Sequence, residues 1–355
     1  MSLAAQSSKE NPQASDKKSV RPNAPNLMGV RVASTGLYMP ENEVLNEDLE
    51  SLGYDSEWIV QRTGISARRH VAAGQATSDM AIRAAQDCLE RSNTSIQEID
   101  LILCATMTAD HYTPSTACLV QAKLGAICGA LDVNAACSGF LYAMVTGAQF
   151  IKTGSYRKVL VIGADTMSMV VDPEDKKTYP LFGDGAGAAL LEKDPGENEE
   201  ELSGILGFRL ASVGELADSL VVPGCGSRKP ASEEVLRNRD QFLKMDGRTV
   251  FKWAVRLIPE IVNESLEQAN LTLDDIKLLL FHQANQRILK AATDDLGVDA
   301  DKVFMNVDRY GNTSAASVAI SLHEAVEQGT IQRGDHILLA GFGAGLTWAS
   351  CTFRW

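Results

Sequence analysis

The sequence predicts an α/β layered fold made of two similar halves. Three observations carry this. From Gly29 to the end of the chain, short apolar runs of strand length alternate with longer amphipathic runs, the pattern of sheets covered by helices. The first and second parts of that series share their spacing. The chain has 355 residues, enough for two domains at roughly 150 residues each.

The elements follow in order. Val30–Leu37 is expected as a strand, then Ser78–Arg91 as a helix, Leu101–Thr106 as a strand and Ser115–Leu124 as a helix. Ala130–Val133 is the next strand, Gly139–Thr153 a helix, and Val159–Ala164 and Ala186–Leu191 two more strands. The second series has strands at Ile205–Ala211, Leu278–Phe281, Val303–Asn306, Ile337–Ala340 and Thr347–Phe353. Its helices are expected at Thr249–Gln268, Gln286–Leu296 and Ala315–Gln328. Within this order, Cys137 opens a small-residue helix that runs to Gly154, and Asn312 opens one that runs over the same interval to Gly329. Each is followed by a basic turn and an apolar strand, Lys158–Gly163 and His336–Gly341. Cys137 and Asn312 would then start matching helices, and a pseudo-twofold axis would bring both to one central site. The expected division is a disordered tail at 1–26, an N-terminal half at 27–200 and a C-terminal half at 201–355. The tail is rich in Ser, Asn, Pro, Ala and Lys and lacks the apolar core of a signal peptide. The acidic run Glu197–Glu201 reads as a solvated loop.

Composition narrows the function. Hydrophobic residues make up 45% and charged residues 22%, which is ordinary for a globular chain. A net charge of −13 argues against nucleic acid and membrane surfaces as partners. No apolar stretch is long enough for a transmembrane helix. The seven cysteines, at 88, 104, 118, 128, 137, 225 and 351, are odd in number, irregular in spacing and without a CxxC pair. That fits neither a disulfide framework nor a zinc knuckle, and it suits a reducing cytoplasm.

Three segments carry residue types suited to chemistry. Cys137 lies in Asn134-Ala-Ala-Cys-Ser-Gly-Phe, where a strand ends, two alanines turn the chain and a helix follows. A thiol at a helix N-terminus feels positive potential, which lowers its pKa. A buried structural cysteine is the other reading of the same segment. His282 ends an apolar strand and opens His-Gln-Ala-Asn-Gln-Arg, poised at an opening or hydrogen-bonded in a core. Asn312 lies in Gly311-Asn-Thr-Ser-Ala-Ala-Ser, a good helix cap on its own terms. Two glycine clusters, Phe182-Gly-Asp-Gly-Ala-Gly-Ala and Gly341-Phe-Gly-Ala-Gly-Leu-Thr, do not match GxGxxG opening a helix, so dinucleotide binding is rejected. They are expected to let backbone N–H groups approach a substrate carbonyl. Asp218-Ser-Leu matches the tripeptide on which carrier proteins bear phosphopantetheine; inside an expected strand it is read as chance.

Taken together, these three segments resemble β-ketoacyl-acyl carrier protein synthase III, of the thiolase-like superfamily. The resemblance runs from about Val30 to Trp355 and includes Glu57-Trp-Ile-Val-Gln-Arg-Thr-Gly-Ile and both glycine clusters. It implies a five-layer αβαβα fold of two duplicated halves and a homodimer. It implies an acyltransferase in which acyl-CoA acylates Cys137, then malonyl-ACP loses CO2 and attacks the acyl-cysteine. His282 and Asn312 would hold the developing oxyanion, and the backbone N–H groups of Cys137 and Ala344 would form a second oxyanion hole. No metal or cofactor is implied beyond the CoA and ACP thioesters.

By motif position, Trp58 and Arg62 would hold CoA, and Lys176 stands where a second arginine is common. Arg287 would face the acyl carrier protein. Arg248, Lys252 and Arg256, spaced i, i+4, i+8, would give an acidic chain the basic face that an acidic carrier needs. Asp294 and Asp295 fall where some members carry lysines. Thr113 falls where short-chain enzymes have Phe, in a residue that reaches the partner subunit's acyl pocket, so longer or branched primers are expected. A relative with the same triad, serving a specialised pathway or transferring acyl groups without decarboxylation, is the alternative. A non-catalytic scaffold is a remoter one. Thiolase is less suited, because Cys225 and Cys351 lie outside the motif of its second catalytic cysteine.

Overall fold

The computed structural model describes residues 26–53, 55–198 and 201–355. Residues 1–25 of the expected tail, and Glu199 and Glu200 of the acidic run, lie outside the described residues.

The first part of the chain runs β1 (Leu27–Met28), β2 (Val30–Tyr38), β3 (Asn42–Leu45), α1 (Ser56–Thr63), β4 (Ala67–His70), α2 (Thr77–Arg91), β5 (Leu101–Ala105), α3 (Thr116–Leu124), β6 (Gly129–Val133), α4 (Gly139–Lys152), β7 (Lys158–Asp165) and β8 (Gly185–Lys193). The second runs β9 (Gly204–Ser212), β10 (Leu220–Val221), α5 (Glu233–Arg237), β11 (Lys244–Met245), α6 (Gly247–Ala269), β12 (Ile276–Phe281), α7 (Gln286–Leu296), α8 (Val307–Tyr310), α9 (Ala316–Glu327), β13 (His336–Gly343) and β14 (Thr347–Arg354).

Two five-stranded sheets carry the fold. The first has order β2-β8-β7-β5-β6, and the second β1-β9-β14-β13-β12. β5 pairs in parallel with β6 and β7, and β12 with β13; the other neighbours are antiparallel. The orders match strand for strand, with β9, β14, β13 and β12 standing for β2, β8, β7 and β5. The counterpart of β6 would be Val303–Asn306, expected as a strand. It is a single parallel bridge from Val303 to Leu279, because the chain turns at once into α8. β1 pairs with β9, so Leu27 and Met28 lie on the second sheet and the halves interlock.

The layers follow from strand alternation. Leu101 and Leu103 point to one face of the first sheet, and Ile102 and Cys104 to the other. The inner faces of both sheets bury Phe140, Leu141 and Met144 of α4 and Val318, Ala319 and Leu322 of α9 between them. α2 and α3 cover the outside of the first sheet, and α6 and α7 the outside of the second. The result is helix, sheet, helix, sheet, helix. Gly187 permits the tight centre: a Cβ there would stand 2.6 Å from Ala319 Cβ. The first glycine cluster is thus a packing surface for α9, not a set of donors for a carbonyl.

Some short elements went unread. α1 has clear signals in retrospect, with Asp55 Oδ1 accepting the Trp58 N–H at 2.6 Å and Gly64 in the left-handed conformation closing the helix. Asp218 and Ser219 close a 3₁₀ turn at Gly214–Ser219, so the expected strand starts only at Leu220.

Candidate active site

The central helices begin beside one another, and their approaches carry the chemistry. Ala136 takes φ of 46° and Ser314 takes 51°, left-handed values that cost a non-glycine residue of order 1 kcal/mol or more. The first turn presents Cys137, in the 3₁₀ turn Ala136–Ser138 just before α4. The Thr347 hydroxyl pins it from the second sheet, 2.9 Å from Ala135 O and 2.8 Å from Ser138 Oγ. Gly343 closes against it, since a Cβ there would stand 2.8 Å from Cys137 N and 3.1 Å from Sγ. The second glycine cluster therefore makes room for the thiol.

Asn312 does not cap a helix as expected. α9 starts at Ala316, and Asn312 Oδ1 instead accepts the Ser314 N–H at 2.9 Å. Its backbone is held by Leu181 O, 2.8 Å from Asn312 N, and by the Gly183 N–H, which donates to Asn312 O at 3.1 Å. With Oδ1 engaged, the side-chain NH2 is left for the cavity. His282 follows the last residue of β12. Its backbone N–H donates to Ala340 O at 2.8 Å, and Nδ1 lies 2.6 Å from Ser317 Oγ. Phe342 packs edge-on to the ring, with centroids 5.3 Å apart.

Cys137, His282 and Asn312 all line one cavity of about 620 Å³. Burial governs the ionisation of Cys137 and His282. The Cys137 thiol is pushed up to about 12, mainly by desolvation, with the nearby Ser314 hydroxyl pulling the other way. The expected lowering by the helix N-terminus does not prevail, because the thiol is sealed from water. Desolvation takes His282 down to about 3, so its ring is neutral at ordinary pH. Asp165, at the end of β7, is fully buried and raised by desolvation. Its carboxylate accepts from Thr106 Oγ1, Met107 N, Thr108 Oγ1 and, across to the second half, Ala315 N at 3.0 Å.

The cavity mouth is basic. Trp58, Arg62 and Lys176 line it, with the Arg62 guanidinium over the Trp58 ring at 5.5 Å. Arg248 and Arg287 line it too, and among the described residues Asp246 is the one acidic side chain there. Of the three α6 cations, only Arg248 lines this cavity. Lys252 and Arg256 line a neighbouring groove beside Glu260, further along the same helix. Ala344 follows β13 directly but does not line the cavity, whereas Gly343 does. Thr113 is exposed on the loop between β5 and α3, outside the cavity of its own chain.

Sequence reasoning missed Lys177 at the mouth, Asp165 and Ser317. The Lys176-Lys177 pair carried a signal for the first. Nothing local marked the others, whose roles depend on long-range packing. Among the described residues, no group of three His, Cys, Asp or Glu is gathered as metal ligands would be, and no helix is long and apolar enough to cross a membrane.

Comparisons with known proteins agree with this architecture. The family model described as 3-oxoacyl-[acyl-carrier-protein (ACP)] synthase III matches residues 131–214, and its C-terminal model matches 266–355. The beta-ketoacyl-[acyl-carrier-protein] synthase III of Rhodopirellula baltica is 53% identical over 343 residues, covering 93% of this chain and 99% of that one. The crystal structure of the Aquifex aeolicus 3-oxoacyl-[acyl-carrier-protein] synthase III is similar with a TM-score of 0.85 at 42% identity, covering 92% and 100% of the two chains. A priming β-ketosynthase from the R1128 polyketide pathway follows at 0.83 and 34%, covering 93% and 97%. The chain belongs to the β-ketoacyl-[acyl-carrier-protein] synthase III family, on the thiolase-like fold.

Proposed function

We propose that the chain condenses an acyl-CoA primer with malonyl-ACP to give 3-oxoacyl-ACP, CoA and CO2, initiating fatty acid synthesis. The observation that carries this reading is the meeting of Cys137, His282 and Asn312 in one buried cavity with a basic mouth. The Cys137 sulfur attacks the primer carbonyl, the bond to the CoA sulfur breaks, and the thiol proton leaves with CoA. Malonyl-ACP then loses CO2. The electron pair moves onto the thioester oxygen, where His282 Nε2–H and the Asn312 NH2 donate to it. A neutral imidazole suits this task, since a hydrogen bond suffices and no proton need be transferred. Each donor lowers the barrier by about 3 kcal/mol. The carbanion attacks the acyl carbonyl, and Cys137 leaves as a thiolate. Cys137 N–H and Ala344 N–H are our candidates for the oxyanion of that step; Gly343, lying against the thiol, supports a backbone donor next to it. The reaction as proposed uses thioester substrates and no cofactor.

Trp58, Arg62 and Lys176 would hold CoA, joined by Lys177. Arg248 and Arg287 would meet the carrier at the mouth, with Lys252 and Arg256 as an outer, separate contact. A homodimer is supported by β6, which is an edge strand flanked by Ile127 and Tyr112, 88% and 86% exposed, and carries the exposed Leu131. Thr113, next to Tyr112, would there enter the partner's acyl pocket. Seven free thiols, one of them the nucleophile, suit the cytoplasm. The halves are read as 27–200 and 201–355.

The test is to incubate the protein with a panel of acyl-CoAs, locate the adduct by mass spectrometry, then add malonyl-ACP and follow CO2. The expected adduct is on Cys137; another cysteine would overturn the mechanism. His282→Ala is expected to lose about a hundredfold in CO2 release and far less in acylation. Equal losses would make His282 the activator of the thiol. Thr113→Phe is expected to narrow the accepted primers to short ones. The 34% identical polyketide ketosynthase keeps a specialised pathway as a second reading, which activity with only a dedicated carrier protein would favour.

A further inference from the structure

Oxyanion stabilisation needs a proton on the His282 nitrogen that faces the cavity, yet a neutral imidazole has two tautomers. The partner of the other ring nitrogen is the hydroxyl of Ser317, in the first turn of α9. Both side chains are sealed, each about 1% exposed. Ser317 Oγ lies 2.6 Å from His282 Nδ1, and the Gln283 N–H donates to the same oxygen at 3.4 Å. Among the described residues, Ser317 Oγ has no other hydrogen-bond partner.

Two arrangements are possible. If Nδ1 carried the proton and donated to Ser317, the buried serine hydrogen would have no acceptor, a cost of about 1–3 kcal/mol. If the serine donates to Nδ1, its lone pairs accept from Gln283 and every group is satisfied. We infer that Ser317 is a positioning residue that holds His282 as the Nε2–H tautomer and so aims its single proton into the cavity. Gln283 stiffens the arrangement. Its Oε1 accepts the Asn306 and Val307 N–H groups at 3.1 and 3.2 Å, and its Nε2 donates to Phe281 O and Phe304 O at 2.9 and 3.1 Å. The backbone that carries His282 and the Gln283 N–H is thereby held in place. Burial that keeps the ring neutral removes the competing doubly protonated form.

This inference rests on the proposed role of His282 as a donor, but its test does not. Full-length protein is labelled with 15N-histidine, and the ring nitrogens of His282 are assigned by their loss in His282→Asn. The wild type is expected to carry the proton on Nε2, with Nδ1 as a hydrogen-bonded acceptor. Ser317→Ala, which removes one oxygen from a helix start, is expected to give a mixture of tautomers. It is also expected to slow malonyl decarboxylation about tenfold while leaving Cys137 acylation within about twofold. A wild-type ring protonated at Nδ1 overturns the inference. So does a Ser317→Ala protein whose tautomer and decarboxylation rate are both unchanged. A wild type with the Nε2 proton but no CO2 release from malonyl-ACP would instead overturn the proposed function.

Discussion

Burial sets the reactivity of Cys137 more than its place before a helix does. The N-terminus of α4 offers positive potential, but the sulfur is 6% exposed as a residue and closed over by Gly343, and desolvation of the thiolate dominates. The free protein should therefore hold Cys137 as a thiol across neutral pH. Alkylation by iodoacetamide, located by mass spectrometry, is expected to rise about tenfold per pH unit at Cys137 from pH 7 to 9 without levelling off, because the thiolate fraction is still climbing. The exposed Cys118 reports reagent access in the same sample. A plateau at Cys137 below pH 8 would mean that the helix terminus and Ser314 outweigh burial. The sequence marked this residue correctly as a place to look, through its small neighbours and its turn. It could not weigh desolvation against the helix terminus, since the groups that seal the thiol come from β13 and β14, about two hundred residues away.

At the scale of elements, the least regular part is the segment between β10 and β11. Just after α5 it reaches the loop that delivers Lys176 and Lys177 to the cavity mouth. Arg239 is the clamp. Its Nε donates to Asp172 Oδ2 at 2.6 Å, its Nη2 reaches the other Asp172 oxygen, and its Nη1 donates to Glu174 at 3.2 Å. The guanidinium also lies over Phe242, at 5.2 Å. The Arg239 guanidinium hydrogen-bonded to Asp172 holds that carboxyl below the ordinary carboxylate range. Bidentate pairing fixes orientation as well as distance. Arg239→Ala is expected to raise the KM for acyl-CoA about fivefold with kcat nearly unchanged, and to speed amide exchange over residues 229–243. Unchanged KM and exchange would show that the segment is held by Leu243 and its apolar neighbours alone. Of these short elements, the sequence marked only the strand at Leu220, with its start placed too early. The long helices and central strands repeat their periodicity over many residues, whereas α5 and the β10–β11 and β3–β4 pairs are too brief to establish a period and exist through tertiary contacts.

For the whole molecule, the duplicated order of strands was legible because each half repeats the same run of apolar segments. The failures fall where one half departs from the other, as at Val303, or where β1 crosses to the second sheet. That doubly covered architecture also buries histidines, with a consequence for acid stability. His282 is lowered to about 3 by desolvation, and His70 to about 4 by desolvation and the buried Arg68 beside it. His323 is shifted in the same direction. In the unfolded chain each would titrate near 6.5. Below that pH the unfolded state takes up protons that the folded state refuses, so stability falls as pH falls. The loss begins near 6.5 and accumulates toward about 4 for His70 and about 3 for His282. Between pH 7.5 and 5.0 it amounts to about 2 kcal/mol for each of these two. The midpoint of urea unfolding is expected to drop over that interval, above the range in which ordinary carboxylates titrate. His70→Asn is expected to be less stable at pH 7.5, since it loses the edge-on packing on Tyr179, yet to lose about 2 kcal/mol less than wild type on going to pH 5.0. A wild-type midpoint that does not move between pH 7.5 and 5.0 would show that these rings accept protons in the folded state. In that case His282 could not be held as a neutral donor.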